Sequence, residues 1–120
     1  MYIPRMVQKQ ILEAFQFFPV VLLTGARQVG KSTLALKLKQ IPNYVTLDNL
    51  TVYSGAKEDP VSFIEKLPKP VIIDEIQKLP NLIVSIKEFV DKDRKNGSFL
   101  LTASANLLDA TFAIPIQYVL

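Results

Sequence analysis

Two spacings of hydrophobic residues alternate along the chain. The first is helical, with apolar residues three or four positions apart, and it begins at Val7, Ile11, Phe15 and Phe18. Pro19 follows and is expected to end this helix. The second spacing is a short uninterrupted apolar run, which is typical of a strand buried on both faces. Such runs occur at 20–24, 71–74 and 99–102, and the mixed segment YVTLD at 44–48 is interpreted as a further strand.

Helical spacing returns in the segments between these runs. The positions that define it are Leu34, Leu38 and Ile41, then Val61, Ile64 and Leu67, then Leu82, Ile86 and Val90. Asp59 and Pro60 form a helix-start signal, because a capping aspartate is commonly followed by proline in the first turn. Pro80 likewise opens a helix, whose polar end closes at Gly97.

Alternating strands and helices predict an α/β fold, in which a parallel sheet is covered by helices on both faces. Ligands bind at the carboxyl ends of the strands in such sheets. Gly25, Asp48, Asp74 and Thr102 fall at those ends. We therefore expect these residues along one edge of the sheet.

The amino-acid composition limits the kinds of site and reaction that the chain can support. The chain has 120 residues, of which 49% are hydrophobic, so a single domain covering 1–120 is expected. It contains no cysteine or histidine, which excludes thiolate metal sites and leaves acid–base chemistry to carboxylates, lysine, tyrosine or water. The net charge of +3 suits an anionic ligand without indicating nucleic acid. No signal peptide or membrane-spanning run is visible, so we expect a cytoplasmic protein.

One segment, GARQVGKS, matches the phosphate-loop pattern G-x-x-x-x-G-K-[ST] between a predicted strand and a predicted helix. Glycines let successive N–H groups point at phosphate oxygens, and the helix N-terminus adds positive charge. We expect Lys31 to reach the β- and γ-phosphates and the Ser32 hydroxyl to bind Mg²⁺. The predicted nucleotide-binding residues are Gly25, Ala26, Arg27, Gln28, Val29, Gly30, Lys31, Ser32 and Thr33.

A pair of acidic residues follows the apolar run 71–74. Asp74 is expected to hold a water on the Mg²⁺ that Ser32 binds, which makes Ser32 and Asp74 the predicted metal ligands. Glu75 comes next and is expected to turn toward the γ-phosphate. Since no histidine is available, Glu75 is the best candidate to polarise the attacking water, and with Lys31 it is a predicted catalytic residue.

The acidic pair also predicts a detail of the fold. P-loop ATPases with this added glutamate resemble one another in having an extra strand between the loop strand and the aspartate strand. We assign that strand to 99–102. The polar turn after it would then approach the γ-phosphate, and Ser104 is the first choice for a catalytic residue that senses this phosphate, with Thr102 and Asn106 as alternatives.

Taken together, these segments resemble the prokaryotic AAA-type ATPases that carry a C-terminal domain of unknown function. The matching stretches are YIPR, FPVVLLTGARQVGKST, YVTLDNL, KEDPVSFIE, VIIDEIQKLPNL and FLLTASANLL. The resemblance covers residues 2 to about 108. It implies a P-loop NTPase three-layer sandwich that binds and hydrolyses ATP with Mg²⁺ in the cytoplasm.

Two departures from the family pattern matter. Ala103 stands where the family usually has glycine, and the resemblance ends after Leu108, before an arginine-bearing segment and a last core strand. No arginine follows Arg94, which suggests an ATPase domain truncated after about residue 108. The last strand is then missing, or IPIQYVL substitutes for it. Hydrolysis would be slow or would depend on a homo-oligomer or partner protein that supplies an arginine.

The alternatives to the ATPase function belong to other classes. The alternative of a different class is a non-catalytic remnant that binds nucleotide without turnover. A GTPase would need an Asn-Lys-x-Asp motif, and a small-molecule kinase would need several arginines, and neither is present. No basic stripe with interleaved aromatic residues supports nucleic-acid binding.

Overall fold

The computed structural model describes residues 5–24, 38–103 and 118–119. The α-helices in these ranges are α1 (Arg5–Phe15), α2 (Leu50–Glu58), α3 (Pro60–Lys66) and α4 (Asn81–Lys92). The strands are β1 (Val20–Thr24), β2 (Asn43–Thr46), β3 (Val71–Asp74), β4 (Phe99–Ala103) and β5 (Tyr118–Val119). A short 3-10 helix, Ile76–Lys78, follows β3.

All the described strands form one parallel sheet in the order β2-β3-β4-β1-β5. The placement of β4 between β1 and β3 confirms the extra strand predicted from the acidic pair. Tyr118 and Val119 pair with Val21 and Leu22 of β1, so the segment IPIQYVL does supply a fifth strand. The α/β class with a parallel sheet is therefore confirmed.

Hydrophobic residues cover both faces of the sheet, as the uninterrupted apolar runs require. On one face, Ile73 and Leu101 belong to a buried cluster that includes residues of α2, α3 and α4. On the other face, Ile72 and Leu100 belong to a cluster with Ile11 of α1. The strands thus lie in the centre of three layers.

Helix ends follow the predicted signals in part. The Asp59 carboxylate accepts the N–H of Ser62 and caps α3, with Pro60 in the first turn. The prediction for α1 was wrong at its end, because the helix stops at Phe15 and Phe18 lies beyond it. Ile41 is buried but lies in a bend after Leu38 rather than on a helix. Residues 50–58, for which no helix was predicted, form α2.

No helix among the described residues is both long enough and apolar enough to cross a bilayer.

Candidate functional site

Asp74 is the last residue of β3 and lies at the carboxyl edge of the sheet. The four residues of β3 are all buried, and the Asp74 side chain is only 3% exposed. Neighbouring strands flank it on both sides, since Thr46 of β2 is its register partner and Ile73 pairs with Leu101 of β4. A carboxylate in such surroundings must be hydrogen-bonded, because burying an unpaired charge is strongly unfavourable.

Three hydroxyl groups of the described residues donate hydrogen bonds to the Asp74 carboxylate. On the β2 side, Tyr44 Oη and Thr46 Oγ1 each lie 3.1 Å from Oδ2. On the β4 side, the hydroxyl of the fully buried Thr102 donates to Oδ1. Donors from both neighbouring strands therefore fix the orientation of the carboxylate. We call Tyr44, Thr46, Asp74 and Thr102 the Asp74 cluster.

The phenol of Tyr44 stays protonated in this cluster. Burial raises the pKa of Tyr44 well above its ordinary value, and the negative charge of Asp74 and the hydrogen bond to it raise it further. A neutral phenol is a donor, so Tyr44 donates to the carboxylate over the whole neutral range.

Glu75 directly follows Asp74 and has a left-handed backbone, with φ 62° and ψ 46°. Its N–H donates to Thr102 Oγ1 at 3.1 Å. The Gln77 side-chain amide donates to Glu75 Oε1, also at 3.1 Å. Both the backbone and the carboxylate of Glu75 are therefore held in place next to Asp74.

An ion pair closes the β2 side of this edge. The Lys78 ammonium, on the short 3-10 helix, contacts the Asp48 carboxylate in the turn after β2. The segment 44–48 predicted Asp48 within the strand. The strand β2 ends at Thr46, so Asp48 lies two residues past it. Its carboxylate neutralises the Lys78 ammonium, and its N–H donates to Thr46 Oγ1 at 3.1 Å within the turn.

Comparison with known proteins decides the family. Residues 17–111, well over half of the chain, match the model of the family described as AAA domain. This chain belongs to the AAA domain family. The AAA-type resemblance predicted from the sequence is thereby confirmed, and nucleotide binding is assigned at the level of the family.

Curated relatives of this AAA domain come from mycobacteria. An uncharacterized protein of Mycobacterium bovis and one of Mycobacterium tuberculosis are each 34% identical to it over 89 residues. The alignment covers 73% of this chain but 20% of each relative. The chain thus spans about one fifth of the length of the curated relatives it matches. No solved structure matches it significantly.

The donor set of this AAA domain fits Mg²⁺, which commonly accompanies nucleotide in the family. Magnesium prefers oxygen ligands and is typically bound through one or two carboxylates together with substrate phosphates. Asp74 supplies one oriented carboxylate, and no group of three or more metal-ligating side chains was found among the described residues. A single oriented carboxylate is compatible with a Mg²⁺ ion that also takes ligands from a nucleotide and water.

Several predicted site residues of this AAA domain lie outside the described residues. They are Gly25, Ala26, Arg27, Gln28, Val29, Gly30, Lys31, Ser32, Thr33, Ser104 and Asn106. Their roles stay predictions.

The register between β1 and β4 shows where the phosphate-loop sequence begins, because Thr24 pairs with Ala103 at the carboxyl edge. One strand separates β1 from β3, so the loop leaves the sheet about 10 Å from the strand that carries Asp74.

Sequence reasoning missed Tyr44, Thr46 and Gln77 as members of this site. A signal was present in β2, where Tyr44 and Thr46 are two residues apart and therefore lie on the same face of the strand. Their convergence on Asp74 depended on the strand order and register, which the local pattern did not reveal. No comparable signal marked Gln77.

Proposed function

We propose that this AAA domain binds Mg-ATP through the loop 25–33 and hydrolyses it slowly or with the help of a partner. It would be the nucleotide module of an AAA-type ATPase. The observation that carries the proposal is the buried Asp74 carboxylate, oriented by hydroxyls from two strands, at the sheet edge where the phosphate-loop sequence begins.

Each predicted residue has a distinct role in this proposal. Backbone N–H groups of 25–33 and the Lys31 ammonium would hold the phosphates, while Ser32 and Asp74 would hold Mg²⁺ and its water. When bound, Mg²⁺ would neutralise charge on the β- and γ-phosphates. The three hydroxyl donors fix the orientation of the Asp74 carboxylate, which supports this task.

Glu75 is the proposed general base. It would accept a proton from a water whose oxygen bonds to the γ-phosphorus, while the bond from that phosphorus to the bridging oxygen breaks. The products are ADP and phosphate, and the proton on Glu75 is released to solvent. Glu75 is half-buried and directly follows Asp74, which supports the proposal of a base beside the metal site without a histidine.

An arginine at the phosphates would have to come from elsewhere than Arg94. Helix α4 starts just after the carboxyl edge and runs back before β4 begins, so its end lies at the opposite, amino edge. Arg94 follows that end, and α4 alone is about 18 Å long. Hydrolysis would therefore depend on Arg5, Arg27, a second copy or a partner protein. This supports slow or partner-dependent turnover.

The first test is nucleotide binding. Fluorescent ATP is titrated onto the purified chain with and without Mg²⁺, and onto Lys31→Ala and Lys9→Ala variants. We expect binding that strengthens with Mg²⁺ and weakens at least tenfold in Lys31→Ala, as for loss of a charge-assisted contact. Lys9 lies on the exposed side of α1 in an ion pair with Glu13, so Lys9→Ala is the matched control. Equal binding by both variants would contradict the proposed phosphate loop.

The second test is turnover. Phosphate release is measured over a range of protein concentrations, with Glu75→Gln as the variant. We expect slow hydrolysis that falls about 10²–10⁴-fold in Glu75→Gln while nucleotide binding survives. A specific rate that rises with protein concentration would indicate a second copy as the source of the arginine. Tight binding without turnover at any concentration would favour the non-catalytic alternative.

A further inference from the structure

The backbone of Glu75 has an unusual conformation. Among the described residues, Glu75 is the only non-glycine with positive φ. A left-handed backbone is unfavourable for a residue with a side chain and persists only where the surrounding structure holds it. The feature that holds Glu75 therefore also decides where its carboxylate lies.

Thr102 contributes to that feature on the amide side of Glu75, while the Lys78 N–H donates to the Glu75 carbonyl oxygen at 3.1 Å on the other side. Thr102 Oγ1 accepts the N–H of Glu75 at 3.1 Å, and its proton is donated to Asp74 Oδ1. One fully buried hydroxyl thus connects the backbone of the proposed general base with the carboxylate of the proposed metal ligand. Because a threonine hydroxyl has one proton, Thr102 in this arrangement has none left to donate to a phosphate oxygen.

We propose that Thr102 is a positioning residue for Glu75, and that it acts through the Glu75 backbone rather than by touching the nucleotide. Loss of its hydroxyl frees the residue after β3 to leave the left-handed conformation and carries the carboxylate away from the water. The inference rests on the proposed function, because it assigns how the general base of that reaction is held.

Thr46 provides a matched comparison on the other side of Asp74. Its hydroxyl donates to Asp74 Oδ2 and accepts the N–H of Asp48, each at 3.1 Å. The two threonines therefore share one function, the support of Asp74. They differ in the second partner, which is the backbone of Glu75 for Thr102 and the backbone of Asp48 for Thr46. A difference between Thr102→Val and Thr46→Val isolates the effect on Glu75.

The first measurement is the kcat and KM for ATP hydrolysis in these two variants and in Thr102→Ser. Both valine variants lose activity through weaker support of Asp74. We expect kcat of Thr102→Val to lie at least about tenfold below that of Thr46→Val, with KM values within about threefold. Thr102→Ser restores the hydroxyl and most of the rate. In a Glu75→Gln background the two valine variants should become equal, since the group being positioned is gone.

The second measurement does not depend on turnover. Amide hydrogen exchange at Glu75, followed by NMR, reports directly on its bond to Thr102. We expect protection in the wild type and in Thr46→Val, and fast exchange in Thr102→Val. Thr102→Ala serves in place of Thr102→Val if the valine variant does not fold.

The outcomes separate the two proposals. Equal kcat in the two valine variants, or a Glu75 amide that exchanges fast in the wild type, would overturn the positioning role while leaving ATP hydrolysis intact. Absence of turnover in the wild type at every protein concentration would favour the non-catalytic alternative. In that case the exchange data alone decide whether Thr102 holds the Glu75 backbone.

Discussion

Charged groups at the two edges of the sheet are satisfied in different ways, with a buried carboxylate at one edge and a half-buried ammonium at the other. At the carboxyl edge, Asp74 accepts hydrogen bonds from the side chains of Tyr44, Thr46 and Thr102. At the amino edge, the Lys69 ammonium donates to the backbone carbonyls of Ile64 and Leu67, each at 2.7 Å, at the end of α3. It also lies 4.3 Å from the centre of the Phe89 ring.

The difference lies in what each arrangement requires of the sequence. Backbone carbonyls at a helix end are present in any sequence that forms the helix, so a lysine there is a helix cap. Hydroxyls that converge from separate strands require specific residues at specific register positions. The carboxyl edge therefore contains polar groups whose identity the fold alone does not demand, which agrees with the site proposed there.

Replacing the charged residue at each edge should produce the largest difference in the free energy of unfolding. Asp74→Ala leaves three hydroxyl donors without their acceptor, and we expect the free energy of unfolding to fall by about 3 kcal/mol. Lys69→Met keeps most of the packing and lets water reach the carbonyls of α3, so a loss of about 1 kcal/mol is expected. Urea unfolding measures both. A larger loss for Lys69→Met would reverse the comparison.

A single donor of the Asp74 cluster is expected to matter less. Tyr44→Phe removes one hydrogen bond to the charged carboxylate, which keeps its bonds to Thr46 and Thr102, and should lower the free energy of unfolding by about 1.5 kcal/mol. Tyr53→Phe on α2 is the control, and we expect it to change stability by less than about 0.5 kcal/mol. Equal effects of the two substitutions in urea unfolding would argue against the donor role of Tyr44.

Substitution of Gly97 at the amino edge provides a further test of stability there. Gly97 has φ +73°, and an added Cβ would meet the backbone oxygen of Phe15 at 3.2 Å. Gly97→Ala should therefore lower the free energy of unfolding by about 1 kcal/mol. Gly55→Ala is the control, because Gly55 lies in α2 with nothing within 4 Å of an added Cβ. It should stabilise the protein by about 0.5–1 kcal/mol, since alanine favours helix. A thermal unfolding series that ranks them the other way would contradict this assignment.

The smallest expected effect is a pH dependence at the amino edge. Burial lowers the pKa of Lys69 below its ordinary value, and the nearby charge of Glu65 opposes this in part. The folded chain thus loses the Lys69 proton at lower pH than the unfolded chain does. In the window just below the ordinary value of 10.5, the free energy of unfolding should gain from this group as pH rises.

Lys69→Met should abolish that gain. The raised pKa of Tyr44 contributes with the opposite sign at alkaline pH, but it does so in both proteins. The difference between wild type and Lys69→Met in urea unfolding across the alkaline range therefore reports on Lys69. An identical pH profile for the two proteins would show that the Lys69 ammonium is not desolvated.

Local patterns in the sequence determined most of the framework. Apolar runs at 20–24, 71–74 and 99–102 and the mixed segment 44–48 predicted four strands, and Asp59 with Pro60 predicted the start of α3. These signals are local because burial on both faces and helix capping each depend on residues close together in the chain. The same logic placed Asp74 at the end of β3, and the resemblance to P-loop ATPases with the added glutamate predicted the position of β4.

Only the tertiary structure decided which side chains surround Asp74. Tyr44 and Thr102 are far from it in sequence, and they meet it because β2 and β4 flank β3 in one register. A shift of one residue in that register would turn Tyr44 and Thr46 to the other face of the sheet. The left-handed backbone of Glu75 likewise depends in part on Thr102, a contact across 27 residues. Contacts of that range arise from strand order, which no local periodicity reports.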